Sequence, residues 1–239
     1  MDLDPIFPRD GLLPIAAHAY TVSGIDPGEC DTFDSPEFSS KFDYKEKDKI
    51  EVDPATCRDV WLELKGQGDV HSQKASEMLT AVMADSHVFG FVAAGKEQAV
   101  ISFRGTHFLS EWLGDVELAL VDYRFRSEAG LVHIGFQAIY ETLRQSLKKI
   151  LSQLGDNPMP LIIIGHSLGA ALATLCVLDS EIANLSNGKI QAVTFASPRV
   201  GDTRFRDEFK NNVNDCLRIA NWIDFGSPTT APDLVLSRR

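Results

Sequence analysis

The segment from Leu161 to Leu178 contains no Asp, Glu, Lys or Arg, and Gly165-His166-Ser167-Leu168-Gly169 interrupts it at the centre. The apolar residues before the first glycine predict a strand buried on both faces, which is typical of parallel sheets. The apolar residues after the second glycine predict a helix. A run of this length could be mistaken for a membrane span, but the glycines divide it. We therefore predict a strand, a sharp turn and a helix.

The chain from Ser72 onward alternates between strand and helix patterns. Apolar positions at helical spacing predict a helix near residues 75–83, a long helix over 136–154, a helix over 170–178 and another that begins at Asp202. Strands are predicted over residues 87–94, 97–103, 161–164, 191–195 and 217–223. Such alternation predicts an α/β fold with a mainly parallel central sheet and helices on both faces.

Residues 1–70 are rich in Asp, Pro and Gly and predict an irregular N-terminal arm, so we assign the globular domain to residues 71–239. The formal net charge of -11 argues against a nucleic-acid partner. The four cysteines lack the spacing of a zinc site, and residues 1–10 lack the pattern of a secretory leader. We therefore expect a reduced, cytoplasmic location with no transmembrane segment.

A serine between two glycines at a strand-to-helix turn is typical of a nucleophile elbow. Ser167 would stand at the tip of the turn, where the helix N-terminus favours developing negative charge. Acyl transfer also needs donors for an oxyanion. One is expected to be the backbone N–H of Leu168, the residue after the nucleophile. The second is expected at Thr106, just after the predicted strand that ends at Phe103.

Four motifs follow one another along the chain. They are Phe103-Arg104-Gly105-Thr106, Val132-His133-Ile134-Gly135-Phe136, Gly165 to Gly169, and Ala196-Ser197-Pro198-Arg199-Val200-Gly201-Asp202. In this order they resemble the class 3 lipases, the family that includes fungal triacylglycerol lipases and plant phospholipase A1 enzymes. The resemblance covers about residues 70–228. It implies an α/β-hydrolase fold and hydrolysis of carboxylic esters, usually acylglycerols or phospholipids, with no metal or organic cofactor.

By the same resemblance, Thr106 matches the oxyanion residue of the family. The stretch from His107 to Asp115, with Trp112 at its centre, matches the amphipathic lid. A lid of this kind covers an apolar cleft in water and opens at a lipid interface, which predicts transient contact with lipid. Core packing is the alternative for Trp112. His133 matches a family histidine at a helix start and is expected to be structural.

The segment from Arg218 to Asp224 resembles the family segment that ends in the catalytic acid, so Asp224 is the expected acid. Asp202 is the competing candidate, although its position before a predicted helix favours an N-cap. In this fold the catalytic histidine follows the acid, yet no histidine follows His166 before the chain stops at Arg239.

Without a base, Ser167 would remain a neutral alcohol and a poor nucleophile. Three explanations stay open. The chain is a fragment of an active lipase whose sheet is truncated at its C-terminal edge. It is a lipase-like protein that binds lipid or acts as a scaffold without turnover. Or another histidine has become the base, for which His107 beside Thr106 is the best candidate.

Overall fold

A computed structural model describes residues 15–16, 18–19, 45–106, 119–154, 159–213 and 215–219. The strands are β1 (Lys45–Glu51), β2 (Val88–Ala94), β3 (Ala99–Phe103), β4 (Leu120–Asp122), β5 (Leu131–His133), β6 (Met159–His166), β7 (Ser186–Phe195) and β8 (Asp215–Ile219). The helices are α1 (Pro54–Gln67), α2 (Val70–Asp85), α3 (Ile134–Ser152), α4 (Leu168–Leu178), α5 (Ser180–Asn184) and α6 (Thr203–Asn212).

The central sheet has the strand order β1-β2-β3-β6-β7-β8. Strands β3, β6, β7 and β8 are mutually parallel, while β1 and β2 extend the sheet in antiparallel pairs. Strands β4 and β5 form a separate antiparallel pair. A short turn joins β2 to β3, in which the Gly95 N–H donates to the Gln98 carbonyl at 3.0 Å. The mainly parallel sheet predicted from the alternating pattern is present.

Strand β6 shows why the middle of the sheet is apolar on both faces. Leu161 and Ile163 point into the larger core, which the sheet shares with the helices. Ile162 and Ile164 point into a second core on the opposite face, which also contains Ile15. Burying one such aliphatic side chain contributes about 1.5–3 kcal/mol. The apolar run beginning at residue 161 is therefore explained by burial on both faces.

The prediction of irregular structure for residues 1–70 is wrong for residues 45–67. Strand β1 carries charged residues because it lies at the sheet edge, where most of its described side chains are exposed. Helix α1 begins after Asp53, whose carboxylate accepts from the Thr56 N–H at 2.7 Å. It ends at Gly68, which has a φ of 70°. The charged composition of this region concealed both elements.

The remaining boundaries differ from the predictions by a few residues. The long helix α3 begins at Ile134, because His133 caps it, and the last strand is described as far as Ile219. Residues 220–223 of that predicted strand lie outside the described residues. Asp202 is the N-cap of α6, as predicted, and accepts from the Phe205 N–H at 2.8 Å. No helix in the described ranges is long and apolar enough to cross a bilayer.

Candidate active site

The turn between β6 and α4 places Ser167 in a backbone conformation that few side chains adopt. Its φ is 56° and its ψ is -121°. For a residue other than glycine this region costs about 1–3 kcal/mol, and such strain is concentrated at functional sites. The Ser167 N–H donates to the Phe195 carbonyl of β7 at 2.9 Å, and the Ser167 carbonyl accepts from the Ala170 N–H at 3.0 Å. These bonds hold the strained residue between sheet and helix.

The two flanking glycines are required by close backbone approach. A Cβ atom on Gly165 would lie 2.1 Å from the Gly169 carbonyl oxygen. A Cβ atom on Gly169 would lie 2.3 Å from the Phe103 carbonyl oxygen and 2.5 Å from that of Arg104. The elbow therefore packs directly against the end of β3, and any larger residue would force the two backbones apart.

The predicted oxyanion donors lie at the same edge of the sheet as Ser167. Strand β3 is parallel to β6, with Phe103 opposite Gly165, so Thr106 follows a strand end beside the elbow. Thr106 is buried, with 8% of its surface exposed. Leu168 is the first residue of α4, where backbone N–H groups have no carbonyl acceptor within the helix. The Ser167 side chain, which is half-buried, makes no capping hydrogen bond to the helix.

A second strained residue lies at the next strand end. Ala196 has a φ of 49°, and its N–H donates to the Ile219 carbonyl of β8 at 2.8 Å. The Arg218 guanidinium donates to the neighbouring Ser197 carbonyl at 2.8 Å. Sequence analysis found the motif that contains Ala196 but not this strain, because alanine gives no sign of a left-handed backbone. Ser167 and Ala196, which directly follow β6 and β7, therefore both have a positive φ.

Arg104 is a residue of this edge to which the sequence analysis gave no role. Its side chain is fully buried. The guanidinium donates to three backbone carbonyls, those of Val88 at 2.7 Å, Gly105 at 2.9 Å and Ser86 at 3.2 Å. It also lies 4.4 Å from the centre of the Phe89 ring. The sequence feature that could have indicated this role is an arginine directly after an apolar strand, because charged side chains are rarely buried.

His133 has a structural role, as predicted. Its Nδ1 accepts from the N–H groups of Gly135 at 3.0 Å and Phe136 at 3.3 Å, at the start of α3. Burial lowers the pKa of His133 to about 4, so the ring is neutral at pH 7. His18 Nε2 lies 3.2 Å from Glu46 of β1, on the second face of the sheet.

Three predicted site residues, His107, Trp112 and Asp224, lie outside the described residues. Their roles as lid residues and acid stay predictions. No cluster of three or more His, Cys, Asp or Glu side chains in the described ranges could hold a metal ion. Ser167, Leu168 and Thr106 therefore lie at one edge of the central sheet. Arg104 lies at the same edge, although no role was predicted for it.

The chain matches a known protein family over more than half of its length. Residues 100–230 match the family described as Lipase (class 3). Phospholipase A(1) DAD1 of Arabidopsis thaliana is 31% identical over 162 residues, which cover 61% of this chain and 36% of that protein. Phospholipase A1-II 4 of Oryza sativa subsp. japonica is 34% identical over 144 residues, covering 50% of this chain and 36% of that protein. The matched region is about a third of the length of these curated relatives.

Solved structures of fungal lipases share the fold. Lipase II from Rhizopus niveus superposes with a TM-score of 0.61 at 21% identity, covering 88% of this chain and 69% of that chain. The triacylglyceride lipase of Rhizomucor miehei gives a TM-score of 0.59 at 20% identity, with the same coverage of both chains. The fold is therefore the α/β-hydrolase fold, with β6, the elbow and α4 at its centre.

Proposed function

Because the chain belongs to the class 3 lipase family, whose match spans residues 100–230, we propose that it is a serine hydrolase that cleaves carboxylic esters of lipids. The observation that supports this most is the strained Ser167, with a φ of 56°, at the turn between a buried strand and an apolar helix. A strained serine at such a turn exposes its hydroxyl to a substrate. The relatives that share 31% and 34% identity are phospholipases by name.

The proposed reaction proceeds through an acyl-enzyme. The Ser167 Oγ attacks the ester carbonyl carbon while its proton passes to a general base. The carbonyl oxygen becomes an oxyanion, which the backbone N–H groups of Leu168 and Thr106 stabilise as donors. The base returns the proton to the leaving alcohol as the C–O bond breaks. Water, deprotonated by the same base, then attacks the acyl-enzyme and releases the fatty acid.

We propose Asp224 as the acid that orients the base. The parallel pairing of β8 with β7, in which Ile219 lies opposite Phe195, supports this assignment. The carboxyl ends of β6, β7 and β8 therefore share one edge, and Asp224 follows β8 in the chain. Asp202, the earlier competitor, is already used as the N-cap of α6.

The general base is proposed to be a histidine, and the sequence offers one candidate beside the oxyanion loop. His107 follows Thr106 directly. A histidine from a longer form of the protein is the alternative. His107→Ala separates the two, because a base at position 107 makes this variant as slow as Ser167→Ala. Full retention of the rate in His107→Ala would exclude His107.

A phospholipid is the first substrate that we propose, because the curated relatives at 31% and 34% identity carry phospholipase A1 names. An acylglycerol is the second, since the likeness to fungal triacylglycerol lipases at about 20% identity concerns the fold alone. The segment from His107 to Asp115, with Trp112 at its centre, is the proposed lid that contacts lipid. No comparison favours the alternative of a lipase-like protein that binds lipid without turnover.

The test is hydrolysis of a short-chain nitrophenyl ester by the purified chain, with Ser167→Ala as the blank. The proposal predicts a rate well above the blank. Fatty-acid release is then compared between phosphatidylcholine vesicles and a triacylglycerol emulsion, and faster release from the vesicles is expected. A wild-type rate equal to that of Ser167→Ala on all three substrates would contradict the proposed function.

A further inference from the structure

The loop that follows β3 contains a buried cation directly beside the proposed oxyanion donor. We infer that Arg104 is a positioning residue, which fixes the orientation of the Gly105–Thr106 peptide so that the Thr106 N–H faces the substrate. This inference rests on the proposed ester hydrolysis, and it adds a residue to the machinery. The geometry that supports it is the hydrogen bond from the Arg104 Nη1 to the Gly105 carbonyl at 2.9 Å.

The peptide unit between Gly105 and Thr106 links the orientation of one carbonyl to that of one N–H group. The Gly105 carbonyl and the Thr106 N–H belong to the same planar group, and the described chain contains no cis peptide bond. In a trans peptide the C=O and N–H vectors point in opposite directions. A donor that holds the Gly105 oxygen on one side therefore directs the Thr106 N–H to the other. Gly105 itself lacks a Cβ that would restrict this rotation.

The Arg104 side chain is itself held in place by several contacts. Its Nε donates to the Val88 carbonyl at 2.7 Å and its Nη2 to the Ser86 carbonyl at 3.2 Å, so the guanidinium spans the start of β2 and the loop. The Phe89 ring lies 4.4 Å below the guanidinium. The planar guanidinium presents several donors in a fixed arrangement, which an ammonium group does not reproduce. Hydrogen bonds from Arg104 therefore connect the loop after β3 to the start of β2.

The loop that follows β3 lies against the turn that contains the proposed nucleophile. The Arg104 carbonyl oxygen lies 2.5 Å from the position that a Cβ on Gly169 would take, so loop and elbow are in backbone contact. Thr106 follows two residues later at the same sheet edge as Ser167. Rotation of the Gly105–Thr106 peptide would therefore remove a donor from the site without moving the serine. A fully buried arginine costs desolvation energy, and orienting this donor is a role that explains its presence.

The test uses Arg104→Lys, which keeps the charge but loses the fork of donors. Tyr123→Phe is the matched control, because it also removes a buried hydrogen bond to a backbone carbonyl, that of Leu175 at 2.6 Å. Arg104→Lys is expected to lower kcat by about 10- to 100-fold with little change in KM, since loss of one oxyanion donor costs about 100- to 1,000-fold. Tyr123→Phe is expected to lose thermal stability but keep kcat.

A second readout does not depend on activity. Crystal structures of the wild type and Arg104→Lys should show the Gly105 carbonyl reoriented in the variant. Unchanged kcat together with an unchanged peptide, or an equal loss of kcat in Tyr123→Phe at equal stability, would overturn the inference. If the wild type shows no Ser167-dependent hydrolysis, the proposed function fails, whereas the peptide orientation still decides the role of Arg104.

Should Arg104→Lys not fold, Phe89→Leu carries the same test. This variant keeps the arginine and removes the ring against which the guanidinium packs. A fall in kcat with little change in KM is expected, together with movement of the Gly105 carbonyl. Retention of both the wild-type kcat and the wild-type loop in folded Phe89→Leu would contradict the inference.

Discussion

Replacing Ser167 by glycine should stabilise the protein relative to replacing it by alanine. The φ of 56° and ψ of -121° cost about 1–3 kcal/mol for a residue with a Cβ atom. Glycine removes this strain but makes the unfolded chain more flexible, at a cost of about 0.5–1 kcal/mol. The balance predicts that the free energy of unfolding of Ser167→Gly exceeds that of Ser167→Ala by up to about 2.5 kcal/mol. Neither variant retains the hydroxyl, so catalysis does not enter the comparison.

The matched control is the same pair of substitutions at Ser76, a buried helical serine that donates to the Gln73 carbonyl at 2.7 Å. Both changes there remove the same hydrogen bond, and the backbone is helical, so glycine should be less stable than alanine by about 1 kcal/mol. Thermal and urea unfolding of the four variants measures both differences. The reasoning is refuted if glycine is less stable than alanine at position 167 as well.

Gly169→Ala places a Cβ 2.3 Å from the Phe103 carbonyl oxygen. The free energy of unfolding should therefore fall by about 1–3 kcal/mol in melting experiments, and Ser167-dependent release of nitrophenol from the ester should be abolished. A wild-type rate of hydrolysis in this variant would contradict the expectation. Burial lowers the pKa of His133 from its ordinary value near 6.5 to about 4. Between pH 6.5 and pH 4 the unfolded chain therefore binds more protons than the folded chain, and the free energy of unfolding should fall by up to about 3 kcal/mol as the pH drops through this range. His133→Asn, which can still cap the helix, should flatten that dependence in urea titrations, and an unchanged slope would refute the assignment. Asp179→Asn removes one of the two carboxylates that pair with the half-buried Arg144 guanidinium, which donates to Asp179 at 2.5 and 3.1 Å and also contacts Glu181 at 2.8 Å. About 1–3 kcal/mol of stability should therefore be lost while the hydrolysis rate of folded protein is retained, and a matching loss of rate would contradict this.

The strand, turn and helix around Ser167 could be predicted because residue type and conformation agree there. A continuous apolar run favours burial on both faces, and paired glycines mark the point where two backbones approach closely. The structure confirms both, since a Cβ on Gly165 would lie 2.1 Å from the Gly169 carbonyl. The capping role of Asp202 was predictable for a similar reason, because a short acidic side chain before a helix has a local partner.

The parts that were missed depend on contacts between distant residues. Strand β1 is charged because, among the described residues, it pairs with β2 alone and lies at a sheet edge, and a sequence pattern of charges does not reveal an edge strand. Arg104 is satisfied by carbonyls of residues 86 and 88, which only the β2–β3 hairpin brings near. The positive φ of Ala196 occurs together with a hydrogen bond from its N–H to the Ile219 carbonyl of β8, and its methyl side chain gives no sign of either.

Covalent labelling of the purified chain determines whether Ser167 is the nucleophile. The purified chain is incubated with an alkyl fluorophosphonate, digested and mapped by mass spectrometry, with Ser167→Ala in parallel. We predict one phosphonyl adduct, on the peptide that contains Ser167, and none in the variant. A wild-type chain that remains unlabelled, or an adduct on another serine that persists in Ser167→Ala, would show that Ser167 is not the nucleophile.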